Sequence, residues 1–141
     1  MIINFHPKEL PSKKGLEVIA KLNESGAHTV VHATDKTTEE WQNLFLSDEK
    51  LILVAPTYWW GLSYEFDKWA QSVLKYGFAY KYNEAGMPEG LLKGRQFEMH
   101  ITQGTPKAYA TVMRENMKQR LDVGIFGFCD AKVDVTFYDL A

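Results

Sequence analysis

The chain has one cysteine, Cys129, among 141 residues. An internal disulfide and a cysteine cage for a metal are therefore excluded, and a reducing compartment is the expected setting. Long hydrophobic runs are missing. The most apolar stretches, such as Leu51 to Pro56, fall far short of the ~20 residues that a membrane-spanning helix needs. After Met1-Ile2-Ile3 the chain turns polar, without the apolar segment of a secretion signal. No membrane insertion is expected, and the cytoplasm is the expected location. No charge dominates either, since 16 Lys and Arg face 18 Asp and Glu for a net charge of -2. Without a basic stripe to follow a phosphate backbone, nucleic acid is not an expected partner. Internal repeats and low-complexity tracts are absent. So are the two common phosphate-loop spacings, Gly-x-x-x-x-Gly-Lys-Ser/Thr and Gly-x-Gly-x-x-Gly. His28 and His32, four apart on an expected strand, would stand ~13 Å from each other, too far to share a metal. No metal site is expected.

With 45% hydrophobic and 24% charged residues, the composition suits one core, and residues 1–141 are expected to form a single domain. Ile2 to Phe5 reads as a strand. After His6-Pro7, Leu16, Ile19, Ala20 and Leu22 recur at helical spacing, with Ser12 as the cap and Gly26 closing the unit. Thr29 to Ala33 reads as a second strand. Thr37 to Glu40 offers a capping box for a helix that buries Trp41, Leu44 and Phe45. Lys50 to Ala55 is the most continuous apolar strand, which suits a sheet centre covered on both faces. Ser63 can cap a helix whose Phe66, Trp69, Ala70, Val73 and Leu74 share one stripe. Tyr76 to Lys93 shows no clear period and reads as a long connection. Gln96 to Ile101 is a fourth strand. Thr105 as a cap and Pro106 at the first helical position open a helix carrying Met113, Met117 and Leu121 on one side. Lys132 to Tyr138 alternates as a fifth strand.

Strands alternating with helices imply right-handed crossovers and a mainly parallel sheet with helices on both faces. The expected fold class is α/β, a flavodoxin-like doubly wound five-stranded parallel sheet of order 2-1-3-4-5. Ligands in such folds sit beyond the carboxyl ends of strands one and three, so the loops after Phe5, Ala55 and Ile101 are the place to look. In the first loop Ser12, Lys13 and Lys14 meet a helix N-terminus, the usual physics of phosphate capture. An ordinary capped helix with solvated lysines reads the same locally. In the second, Tyr58-Trp59-Trp60 cannot all enter the core, because neighbouring residues project in different directions. They offer flat surface for a planar ligand, or packing against the Tyr76 to Lys93 connection.

Pro56-Thr57-Tyr58-Trp59-Trp60-Gly61, the helix with Lys68-Trp69, Gly77-Phe78-Ala79-Tyr80, Gly90-Leu91-Leu92-Lys93-Gly94-Arg95 and Thr102-Gln103-Gly104 occur in that order. In this they resemble the flavodoxin-like NAD(P)H:quinone oxidoreductases, the group of DT-diaphorase, the modulator of drug activity B and the oxidoreductase subunits of potassium-efflux systems. The resemblance implies FMN or FAD as cofactor, NAD(P)H as hydride donor, a small quinone-like acceptor and a homodimer. It implies that His6 and Ser12 lie along the flavin phosphate. Pro56, Thr57, Tyr58, Trp59 and Trp60 would line the isoalloxazine, and Thr102, Gln103 and Gly104 would hold its pyrimidine end. Tyr109 would overlook the ring as the catalytic residue.

The chain departs from the family pattern at three places. Glu115 stands where a histidine usually follows Tyr109, and Gly15 where an asparagine usually follows Ser12. The chain also ends just after the fifth strand, without the closing helix, so one face beside that strand is expected to be bare unless a partner covers it. Two other classes remain open: a non-catalytic flavodoxin-like regulatory subunit, and an electron-carrying flavodoxin, which normally has a strongly acidic surface. His100 and Cys129 read as structural residues, Cys129 as an inert, half-buried thiol.

Overall fold

The computed structural model describes residues 1–140. Along the chain run β1 (Ile2–Asn4), α1 (Lys13–Leu22), β2 (Val30–His32), α2 (Thr38–Phe45), β3 (Ile52–Tyr58), β4 (Gly61–Leu62), α3 (Tyr64–Val73), β5 (Tyr80–Tyr82), β6 (Pro88–Gly90), β7 (Gln96–Pro106), α4 (Lys107–Gln119) and β8 (Lys132–Leu140). A π-helical turn, Arg120–Phe126, and a short 3₁₀ turn, Gly127–Cys129, link α4 to β8. The main sheet has the order β2-β1-β3-β7-β8, and these five strands are parallel throughout. This is the expected flavodoxin-like order, with the short β4 folded back on the end of β3.

The helix starts are set by side chains that take up orphan N–H groups. Ser12 accepts from Gly15 N. Thr37 and Glu40 close a reciprocal capping box. Ser63, fully buried, accepts from Phe66 N and donates its own hydroxyl to the Phe5 carbonyl at 2.7 Å. That bond ties the start of α3 to the end of β1. Between the sheet and the α2/α3 side lies an aromatic core in which Trp69 meets Phe5, Trp41, Phe45 and Phe66 at centroid distances of 5.1 to 6.1 Å. A smaller cluster, Ile2, Val18, Ile19, Ile52 and Val54, packs α1 on the opposite face.

Three expectations are corrected. Leu16 is 55% exposed; the buried stripe of α1 is Gly15, Val18 and Ile19, one residue away from Leu16. Thr105 does not cap α4, because β7 continues through Pro106 by way of an irregularity after Thr102, and Pro106 itself is the N-cap without a side-chain bond. The Tyr76 to Lys93 stretch contains an antiparallel hairpin, β5 with β6. Buried Ala79 and Leu92 anchor it, and Leu92 N donates to the Cys129 carbonyl at 2.9 Å. Glycine is required at position 90, where a Cβ would stand 2.3 Å from the Cys129 carbonyl carbon.

The face of the sheet beside strand five is mixed in character. Glu98 and His100 lie in register with Ile52 and Val54 on one side, and with Asp134 and Thr136 on the other. Beside α1 this face carries Glu98, His100, Asp134, Thr136 and Tyr138, with Asp134 and Thr136 exposed.

Candidate functional site

The carboxyl ends of β1, β3 and β7 converge on one rim. From β1 the chain runs into the N-terminus of α1, whose first-turn N–H groups lie within the helix's positive end. Ser12 Oγ accepts one of them, from Gly15, at 3.1 Å, which leaves its own hydrogen free to be donated. From β3 the chain reaches Pro56, Thr57 and Tyr58 and then reverses in two residues. Trp59 and Trp60 take φ values of 49° and 63°, and Tyr58 pairs with Gly61 across the turn. Such turns normally use Asn-Gly. Two tryptophans in left-handed backbone store strain of ~1–3 kcal/mol each, and Trp59 is 97% exposed. Trp60 stacks on Tyr109 of α4 with centroids 6.3 Å apart and rings 27° from parallel.

One cleft of about 430 Å³ joins these loops, lined by Ser12, Lys14, Pro56, Thr57, Tyr58, Thr102, Gln103, Gly104 and Asp139. A second hollow of about 200 Å³, lined by Thr57, Trp59, Trp60, Gly104 and Thr105, continues it along the rim. Two features mark the wall of this cleft. Thr57 Oγ1 is buried without a hydrogen-bond partner, and no atom lies within 4 Å of where a Cβ on Gly104 would stand. At the far end Arg114 donates through Nε to Gln103 Oε1 at 3.4 Å, forms an ion pair with Asp139 and lies over the Phe137 ring at 5.0 Å. Sequence reading missed Arg114 and Asp139, which come together only when α4 packs beside β8. Glu115, the next residue, is exposed.

His6 sits under the cleft rather than on its wall. It is 3% exposed, with Nδ1 2.9 Å from Asn4 Oδ1 and Nε2 3.3 Å from Thr102 Oγ1. Gly15 makes this possible, since a Cβ there would stand 2.4 Å from His6 Nε2. Burial, and secondarily the charge of His32, pull the His6 imidazole down to about 4 from 6.5. Between those pH values the unfolded chain takes up a proton that the folded chain refuses. The contribution of His6 to stability is therefore full above about pH 6.5 and is lost as the pH falls toward about 4, by on the order of 3 kcal/mol. Urea unfolding at pH 7 and pH 4.5 checks this: His6→Gln should lose less stability across that interval than the parent protein.

Elsewhere, His32 bonds the His6 carbonyl through Nε2 at 2.6 Å, while His28 is half-exposed. His100 bonds Tyr138 Oη at 2.7 Å on the sheet face. Cys129 is 3% exposed rather than half-buried, and burial pushes its thiol up to about 11, so it stays protonated and unreactive. No helix among the described residues is long and apolar enough to cross a membrane.

Comparison with known proteins adds three findings. A family model described as Flavodoxin-like fold, Flavodoxin_2, matches residues 1–139. Among curated proteins, the chain is similar to an FMN-dependent NADH:quinone oxidoreductase of Rhizobium meliloti (strain 1021), 23% identical over 121 residues, 86% of this chain and 58% of that one. A protein of the same name from Hyphomonas neptunium (strain ATCC 15444) is 36% identical over 83 residues, 52% of this chain and 39% of the other. The chain thus spans 58% and 39% of the length of these two relatives. Among solved structures, the NAD(P)H:quinone oxidoreductase from Methanothermobacter marburgensis superposes with a TM-score of 0.70 at 16% identity, over 98% of this chain and 84% of its own. The general stress protein 14 from Treponema denticola, solved in complex with FMN, gives 0.64 at 20% identity, over 98% and 83%. At such identities the likeness is one of fold.

Proposed function

Belonging as it does to the Flavodoxin_2 family of flavodoxin-like folds, the chain is, we propose, a cytoplasmic flavoenzyme that binds FMN in the 430 Å³ cleft and carries hydride from NADH or NADPH to a quinone or similar small acceptor. The observation that carries this reading is the continuity of the cleft. It runs from a helix N-terminus with Ser12 and Lys14 to the unpartnered Thr57 hydroxyl and the open backbone at Gly104. The names of the curated relatives favour FMN over FAD, and one buried thiol suits a reducing cytoplasm.

Each residue then has a task. The first-turn N–H groups of α1, with Ser12 donating its hydroxyl, hold the phosphate, and Lys14 adds charge. Pro56, Thr57, Tyr58, Trp59 and Trp60 form the wall against the ring, with Thr57 Oγ1 turned from an orphan into a hydrogen-bonding group. Gln103 and Gly104 present backbone to the ring's polar edge, and Arg114 keeps Gln103 in place. Thr102 is held from below by His6, which also lines a small hollow with Ser12 at the start of α1. Tyr109, stacked on Trp60, bounds the outer side and orients what docks there. When bound, FMN supplies the two-electron hydride chemistry itself. A proton relay through Glu115 is not part of this reading, since that side chain faces solvent. The exposed Trp59, Tyr76 and Tyr82 offer surface for a second copy, and we include a homodimer in the proposal.

The test is spectroscopic. FMN should lose fluorescence on titration with the protein, NADH or NADPH should bleach its visible absorbance, and a small quinone should restore it. A flat titration overturns the flavin reading. Flavin that binds yet stays oxidised under excess NADH and NADPH, while dithionite reduces it, leaves a regulatory subunit instead. Light scattering on the same samples should give twice the chain mass; a monomer removes the homodimer.

A further inference from the structure

A second cleft, of about 260 Å³, opens between α2 and α3 and shares no lining residue with the first. We propose that it is a binding site for a flat aromatic monocarboxylate of one or two rings, separate from the FMN cleft. Its floor is aromatic. Trp41 and Trp69 meet there edge to face, 6.1 Å between centroids and 81° between planes. Trp41 spends its indole N–H on the Ala33 carbonyl at 3.3 Å. Trp69, 4% exposed, has no acceptor for its own. A buried donor left unpaired costs free energy, and it belongs to a side chain that lines this cleft.

The charge around the opening favours an anion of one kind. Lys36 and Lys68 line the cleft and Glu65 opposes them, which leaves one net positive charge. The positive ends of two helices meet at the same place, Thr38 being the first residue of α2 and Tyr64 and Glu65 the first two of α3. The caps on those helices, Thr37 and Ser63, bond the N–H groups of Glu40 and Phe66 and so leave the earlier ones available. One net charge suits a carboxylate and leaves a phosphate dianion or a dicarboxylate only partly balanced. The volume fits the same class: a cavity of about 150 Å³ accommodates benzene, so 260 Å³ admits one or two rings with an acid group.

The probe is 2-naphthoate, added to the ¹⁵N-labelled full chain with and without saturating FMN. The indole N–H signals of the four tryptophans are followed, and Trp69 is assigned from Trp69→Phe. The Trp69 signal should move saturably, equally with and without FMN. Binding should weaken about tenfold or more in Lys36→Gln/Lys68→Gln, and 2-naphthamide, the uncharged counterpart, should bind at least about tenfold more weakly. If Trp69→Phe fails to fold, the signal is assigned by labelling with ¹⁵N-tryptophan and substituting the other three, and the lysine variant carries the test. The proposal is overturned if the Trp69 signal stays still up to about 10 mM probe. It is overturned equally if the amide binds as well as the acid, or if FMN abolishes the shift, which would place the probe in the first cleft. Because the readout needs no catalysis, a failed FMN titration leaves this result interpretable.

Discussion

Gly15→Ala is expected to lower stability by about 2 kcal/mol, against the ~1 kcal/mol gain that replacing glycine by alanine inside a helix ordinarily brings. The new Cβ would stand 2.4 Å from Nε2 and 2.5 Å from Cε1 of His6. That ring cannot swing aside. It is buried, and its two nitrogens are held by Asn4 and Thr102. Overfilling a packed site of this kind costs ~1–3 kcal/mol. In the His6→Ala background the same change should cost little or turn stabilising, and the two sites should couple by more than about 1 kcal/mol in a double-mutant cycle read by urea unfolding. If Gly15→Ala simply stabilises, the close approach of α1 to His6 is wrong. The same contact gives a physical reason for glycine at position 15. In this chain the space over the first turn of α1 is filled by imidazole.

Trp59→Gly is expected to move stability and flavin affinity in opposite directions. The side chain is 97% exposed, so its loss removes no buried surface. Glycine relieves the left-handed backbone at φ 49°, and stability should rise by about 1 kcal/mol. The FMN dissociation constant should rise about tenfold, since an aromatic contact with a bound ring contributes ~0.5–1.5 kcal/mol beyond its area. Thermal unfolding of the flavin-free protein and fluorescence titration with FMN read the two effects separately. Unchanged affinity would assign Trp59 to another surface. Lower stability would show that the turn is not strained.

Most of the scaffold was legible in one dimension because its signals are local. Ser12, Thr37 and Ser63 cap helices through atoms three residues away, and the apolar run through Leu51 to Ala55 needs no partner to be recognised as a central strand. Alternation of strand and helix leaves few topologies, and right-handed crossovers select the observed sheet order. The same rule pointed to the loops after β1, β3 and β7, where the cleft was found. The misread pieces were those whose reason lies elsewhere in the chain. Thr105-Pro106 has the pattern of a helix start, yet pairing of β7 with β8 carries the strand through Pro106. The β5–β6 hairpin is held by the turn at Cys129 rather than by its own periodicity.

By itself, the sequence determined the fold class, the order of the sheet and which three loops meet at its rim, since each follows from hydrogen bonds and side-chain periods spanning a few residues. The tertiary structure decided what those loops do to one another. It placed His6 beneath Thr102 with Gly15 making room, and it set Arg114 between Gln103 and Asp139. It also left the hydroxyl of Thr57 and the indole N–H of Trp69 buried without partners, on residues that line two different clefts. Contacts between residues dozens of positions apart depend on how elements pack, and packing has no signature in a local pattern.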